Sequence, residues 1–419
     1  MTAAQKILAG AAGLPAVAVG DIIYPDPALV IVHDGYVETA EAELAKLGYG
    51  RVTNPDRIMF VTDHEVTYAT QRAIERSRNI RRIARQWNVG HFFDVGRGGH
   101  GHIFPMEAGH VRPGMMLFAY DPHCTNFGAV GALAVGVGAE ITTVLATGTL
   151  WTEVPATLCV ALTGRLAPGV HARDVGFLLS GGFSSGRWGA DHDNCVVEFT
   201  GAGLDHLGLA ARVALCNTLT EIGVANVLFA APPPGMAPEA ARDFISDPGA
   251  PYVARVELDL SSIVPQVALP GGPDRAVDLD TVTGVAIDHA FIGACGSAMY
   301  EDFAAAADIL RGRRVADGVR LFLGPGTNAI TERLAGEGLL KVFLDAGGTV
   351  LPPGCGPCAG GAMAPLGPGE VSVATAATNH SGRFGARDAS IYLGSPLTVA
   401  ASAVAGRLTN PCETLEAVG

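Results

Sequence analysis

Basic residues are scarce in this chain: 28 Lys and Arg stand against 41 Asp and Glu over 419 residues, a formal net charge of −13 at pH 7. No run of them is interleaved with aromatics. Such a chain repels a phosphate backbone, so no nucleic-acid partner is expected. Clean apolar runs are lacking too. The most membrane-like stretch, Phe127 to Trp151, is broken by several glycines and by Glu140, and falls short of the roughly twenty apolar residues a span requires. It reads as buried turns and helices, and no membrane partner is expected. The N-terminus, MTAAQKILAGAAGLPAV, has neither a basic leader nor a sustained apolar core, so a cytoplasmic, reducing location is expected. Eight cysteines are too few in so long a chain for a disulfide framework, and most are expected to be small core residues.

With 48% hydrophobic and 16% charged residues, the chain has the composition of a globular protein with well-buried cores. Short apolar runs ending in turn residues, ALVIVHDG, RIMFVTDH and VRLFLGPG, alternate with helical patterns such as ETAEAELAKLG and YEDFAAAADILRG. That alternation predicts α/β layers. Loop-forming clusters near 167–191 and 232–250 interrupt it, which suggests domains over 1–158, 159–255 and 256–419. No internal repeat or low-complexity linker separates them.

Three histidines follow apolar runs in loop-like contexts: His64 in VTDHE, His102 in GGHGHIFP and His123 in FAYDPHCTN. Asp63 directly precedes the first, and Asp121 lies two residues before the last. A carboxylate beside an imidazole fixes its tautomer and raises its pKa, which suits an acid or base near neutrality. Such pairs also cap helices or ligate metals. Open α/β sheets collect ligands at the carboxyl ends of their strands, which favours a site. Asn217 and Glu221, four apart in LCNTLTE, would share a helix face; solvent exposure explains that spacing as well as function does.

In LPPGCGPCAGG, Cys355 and Cys358 form a CxxC in a frame of glycine and proline. CxxC serves redox couples, zinc sites and iron–sulfur sites alike. The glycines disfavour a helix start of the thioredoxin kind, and the chain has no second CxxC and no HxxxH to complete a zinc site. It does have Cys295 in FIGACGSAMYEDF, placed between an apolar run and a helical one. Three thiolates can hold a cubane cluster and leave one iron open as a Lewis acid.

Nearly the whole chain resembles the aconitase superfamily, in particular the large subunits of 3-isopropylmalate dehydratase. The segments DHEVTYAT, FFDVGRGGHGHIFPMEAGHVRPGMM, DPHCTNFGAVGALAVGVG, EFTG, FIGACGSAMYEDFAAAADILRGRRV, PPGCGPCAGGAMAPLGPGEV, NHSGRFG and LGSPLTVAASAVAGRLTNP carry the likeness, in family order. The resemblance implies three α/β/α domains around a central [4Fe-4S] cluster with one open iron, held by Cys295, Cys355 and Cys358. It implies that Asp63, His64, His102, Asp121, His123, Asn217 and Glu221 surround a small hydroxy acid and manage the proton of its departing hydroxyl. Arg383 would bind a substrate carboxylate, for which a bidentate guanidinium is suited. The superfamily's swivel domain, which brings the serine that abstracts the carbon proton, has no counterpart after GRLTNPCETLEAVG. A separate small subunit is therefore expected.

The departures from the family concentrate at the site. D-S-H-T reads Asp121, Pro122, His123, Cys124. G-S-C-T-N-G-R reads Gly293, Ala294, Cys295, Gly296, Ser297, Ala298, Met299. In N-R-N-F-x-G-R the first arginine falls at Thr378 and the phenylalanine at His380. Fewer guanidiniums argue for a substrate with fewer or differently placed carboxylates. The expected activity is that of a hydro-lyase on a small hydroxy acid related to 3-isopropylmalate; the alternative is a non-catalytic, cluster-binding or iron-sensing protein.

Overall fold

The structure, a computed structural model, describes residues 1–233 and 235–416. The chain forms two compact units: residues 1–161, 192–200 and 223–256 make the first, and 162–191, 201–222 and 257–419 the second. It passes between them five times, at 161/162, 191/192, 200/201, 222/223 and 256/257, the first and last of these inside the strands Thr157–Thr163 and Ala254–Asp259. The stretch 159–255 is thus shared between the units in alternating pieces.

The first unit is built on a five-stranded sheet in the order His91–Phe93, Ile58–Val61, Leu29–His33, Met116–Ala119, Leu133–Gly136. All neighbouring strands are parallel. Leu29–His33 and Ile58–Val61 are buried along their whole length, which is why they read as continuous apolar runs rather than alternating ones. Helices Val37–Lys46 and Gln71–Gln86 follow them, and Thr70 caps the second by accepting a hydrogen bond from Ala73 N. Three further parallel strands, Asn226–Phe229, Val196–Thr200 and Thr157–Thr163, lie side by side in a four-stranded sheet. The segment expected to hold only turns and helices contains the strand Leu133–Gly136 as well as the helix Ile141–Thr147. Its alanine and glycine are poor strand formers in isolation, and pairing with Met116–Ala119 decides the outcome.

The second unit carries a seven-stranded sheet in the order Ala276–Asp278, Gln266–Ala268, Ser390–Leu393, Val371–Ala374, His289–Ile292, Arg320–Leu323, Thr349–Val350. The last five are mutually parallel, and Gln266–Ala268 runs antiparallel to both its neighbours. Helices Ala172–Ser184 and Leu209–Thr220 pack against each other so closely that a β-carbon at Gly176 would lie 1.8 Å from the Thr218 hydroxyl. No helix among the described residues is long and apolar enough to cross a membrane.

Candidate functional site

In the first unit the functional side chains stand at or just beyond the carboxyl ends of parallel strands. His33 ends one strand and Asp34 follows it; Asp63 and His64 follow Ile58–Val61; Asp121 and His123 follow Met116–Ala119. The loop after His91–Phe93 brings in His100 and His102. Sequence reasoning missed His33, Asp34 and His100. The signal for His33 was the one used elsewhere, a polar residue closing an apolar strand.

Asp63 is the hub. It is 0% exposed and hydrogen-bonds His33 Nδ1 at 3.0 Å, His64 Nδ1 at 2.8 Å and the Gly101 amide at 2.8 Å. An ionised carboxylate only accepts, so both imidazoles donate from Nδ1. His64 also lies 3.1 Å from Asp34, whose carboxylate accepts from the amides of His64 and Glu65. A second pair joins His123 Nδ1 to Asp121 at 2.8 Å, and Asp121 caps the following turn by accepting from the His123 amide. His102 Nε2 lies 3.6 Å from Asp121. Neither ring nitrogen of the buried His102 has a hydrogen-bond partner, nor does His33 Nε2. Buried polar atoms left in this state mark places where a ligand can bond.

These surroundings divide the group by charge. Burial raises the carboxyl pKa of Asp63, but the imidazoles of His33 and His64 outweigh it and hold Asp63 well below the usual range. Asp121 is likewise held well down, His123 and His102 overcoming the effect of burial. Burial pulls His33 down, yet the charge and hydrogen bond of Asp63 leave it above its ordinary value. His102 is pushed well down by burial, and His100 to about 4 for the same reason. The unit thus biases His33 toward its charged form and His102 toward its neutral one.

The depressed histidines make the fold acid-sensitive. Unfolded, His100 titrates near its ordinary value; folded, it stays neutral to about pH 4. The unfolded state therefore binds more protons as pH falls through this window, and stability present above pH ~6.5 is lost, by ~2 kcal/mol at pH 5 and ~3 kcal/mol at pH 4 for this residue. His33 offsets part of the loss: its raised folded pKa means that its contribution grows as pH falls from that value to ~6.5, and it adds nothing further below. Thermal midpoints at pH 7.5 and 5.0 should show the drop. His100→Asn, which keeps an acceptor for the His102 amide, should flatten it.

In the second unit Cys295 follows the strand His289–Ile292, Cys355 follows Thr349–Val350, and Arg383 lies in the loop after Val371–Ala374. All three thiols, of Cys295, Cys355 and Cys358, are buried. The CxxC forms a single 3₁₀ turn, Gly356–Cys358, rather than a helix start. The ring of Phe291 packs under both loops: a β-carbon at Gly293 or Gly356 would meet it at 2.7 or 2.6 Å. Thr375 clamps the Cys295 loop by bonding both the amide and the carbonyl of Gly293. Ala294, next to Cys295, adopts a left-handed conformation at φ 56°, a local strain of order 1 kcal/mol for a residue with a β-carbon.

Donors converge on the sulfurs. Asn217 Nδ2 lies 3.2 Å from Cys295 Sγ, and Arg383 Nη2 lies 3.6 Å from Cys358 Sγ. Asn217, on the helix Leu209–Thr220, is 0% exposed, so the solvated-face reading of the Asn217/Glu221 spacing fails; Glu221 is the half-buried C-cap of that helix. Thr378 is buried with its hydroxyl unpartnered. Arg173, which sequence reasoning also missed, lies beneath this group. Nothing in the helix pattern of ARDVGFLLSGG sets it apart from an exposed arginine.

Among known proteins, the family profile described as the Aconitase family (aconitate hydratase) matches residues 6–232 and 280–406. The chain is 38% identical to 3-isopropylmalate dehydratase large subunit 1 of Methanopyrus kandleri, covering 98% of both chains. It is 37% identical to the 3-isopropylmalate dehydratase large subunit of Moorella thermoacetica, covering 99% of this chain and 100% of the relative. It is 36% identical to a probable methanogen homoaconitase large subunit of Methanothermobacter thermautotrophicus, over 98% and 97%.

Proposed function

Because the chain belongs to the aconitase family, we propose that it is the large subunit of a two-subunit hydro-lyase that adds or removes water at a small hydroxy acid, a dicarboxylate related to 3-isopropylmalate. The observation that carries this reading is the set of three buried thiols at the carboxyl edge of one sheet, with an amide and a guanidinium aimed at sulfur. Their softness, burial and glycine-lined loops fit an iron–sulfur group: Cys295, Cys355 and Cys358 would hold a [4Fe-4S] cluster. When bound, that cluster supplies a Lewis acid, because three thiolates leave one iron open.

The remaining roles fall to the chain's own side chains. Elimination of water needs a proton for the departing hydroxyl and a base for the proton on carbon. Asp63 holds His33 and His64 by their Nδ1 atoms, which leaves Nε2 of each to give or take the hydroxyl proton, and Asp121 does the same for His123. His102, whose neutral ring has no hydrogen-bond partner, accepts or donates at the same stage. Asn217 orients Cys295, Glu221 serves the hydroxyl, and Arg383 binds a carboxylate. The carbon base is assigned to a separate small subunit, a reading supported by relatives named as large subunits. A threonine and a methionine at 378 and 299, where the family places arginines, favour a substrate with fewer or differently placed carboxylates.

The test is turnover of a panel of hydroxy diacids by the anaerobically reconstituted chain mixed with a swivel-type small subunit from the same genome, followed by the ultraviolet absorbance of the unsaturated product. Activity dependent on both components is expected. Full cluster loading without turnover of any acid would favour the non-catalytic, iron-sensing alternative. In the active complex, Arg383→Lys should raise KM about tenfold or more, with a smaller change in kcat, because a forked charged contact is replaced by a point charge.

A further inference from the structure

Arg173 is among the largest fully buried side chains of the protein, 0% exposed, near the start of the helix Ala172–Ser184. Buried guanidiniums normally meet carboxylates. Arg173 makes no ion pair with a carboxylate among the described residues. Its Nη2 donates to the Ala376 carbonyl at 2.8 Å, its Nη1 to Asn217 Oδ1 at 3.4 Å, its Nε has no partner, and its cation sits 5.0 Å from the centre of the Phe177 ring. Neither nearby carboxylate bonds Arg173, although one oxygen of the buried Asp302 is itself without a hydrogen-bond partner. Asp174 accepts from the amides of His171 and Gln266, and Asp302 from the amide of Met299, with His171 Nε2 3.2 Å away.

What Arg173 does reach, through one intervening amide, is sulfur. Asn217 accepts from Arg173 and donates to Cys295, linking guanidinium to thiol through one amide. Gly296, immediately after Cys295, makes the approach possible: a β-carbon there would lie 1.9 Å from Arg173 Nη1 and 2.6 Å from Asn217 Oδ1. Burial lowers the Arg173 pKa to about 10; against it, Cys295 first, then Asp302, Asp174 and Cys358, favour the charged form.

We propose that Arg173 is the buried counter-charge of the three-thiol centre, a positioning residue that fixes Cys295 through Asn217 and stabilises the more negative, reduced state of the group those thiols hold. This rests on the cluster assignment made above. A positive charge at this place favours electron uptake, so its removal drives the reduction potential down.

The experiment compares wild type, Arg173→Lys, Arg173→Met and Arg173→Gln after anaerobic loading with ferrous iron and sulfide. Iron content, circular dichroism and the midpoint potential from a mediated dithionite titration read by EPR are recorded for each. The expected result is a midpoint shifted to more negative potential in the Met and Gln variants and restored toward wild type in the Lys variant. Folded Met and Gln variants that fail to load, while the Lys variant loads, would support the inference equally. Equal potentials and equal iron content in all four would overturn the inference while leaving the cluster assignment standing. A wild type that takes up no iron would overturn both.

Discussion

Asp63→Asn should cost most of the activity and a large part of the stability in one substitution. The carboxylate accepts from two imidazoles and one backbone amide, with His100 Nδ1 3.6 Å away. An asparagine keeps one acceptor and turns an NH₂ toward donors, so at least one of the three donors, His64 or the Gly101 amide, loses its acceptor. Without the negative charge, burial outweighs the remaining pull of Asp121 on His33, and its pKa falls below the ordinary value instead of lying above it. Loss of an acid or base of this kind lowers kcat by roughly 10²–10⁴-fold. Breaking one side of a buried charged group costs about 3–5 kcal/mol. Steady-state rates with the small subunit present, and thermal midpoints at pH 7.5, check the two parts separately. A kcat within tenfold of wild type would remove Asp63 from the chemistry and leave it as a fold-stabilising group.

Cys355→Ser should abolish metal loading with little effect on the rest of the fold. The thiol is buried in a loop shaped by Gly354 at φ 154° and Gly356 at φ 61°, and serine fits the same space while offering a far poorer ligand for iron. Iron and sulfide content after reconstitution should fall by roughly tenfold or more. Cys412→Ser is the matched control: its sulfur is partly exposed, and it packs against Gly169, where a β-carbon would meet it at 2.5 Å. It should load as wild type does. Equal loss in both variants would mean that iron is bound without selection among the thiols.

Much of this was legible in the sequence because the chain is an α/β protein in which strands such as Leu29–His33, Ile58–Val61 and His289–Ile292 are buried on both faces. Continuous apolar runs located Leu29–His33, Ile58–Val61 and Arg320–Leu323, and the polar residues that close or follow such runs located Asp63, His64 and Cys295. The strand Leu133–Gly136 was not legible, because alanine and glycine carry little local preference and a neighbouring strand decides their fate. Asn217 looked like one position on an amphipathic helix, whereas every residue from Arg212 to Thr220 is buried. Arg173 gave no signal at all: a charged residue near a helix start is ordinarily exposed, and only the packing of Gly296 against it shows why this one is not. The three-domain partition follows the chain, while the compact units take residues 159–255 alternately, a pattern that composition cannot reveal.

An open-iron cluster on Cys295, Cys355 and Cys358 that serves a hydroxy acid is tested most directly by iron, sulfide and EPR measurements. They are made on protein purified without oxygen, before and after addition of hydroxy diacids. About four irons and four sulfides per chain are expected, with a reduced-state signal that shifts when a diacid binds. Bound zinc, or no metal after careful reconstitution, would contradict the cluster.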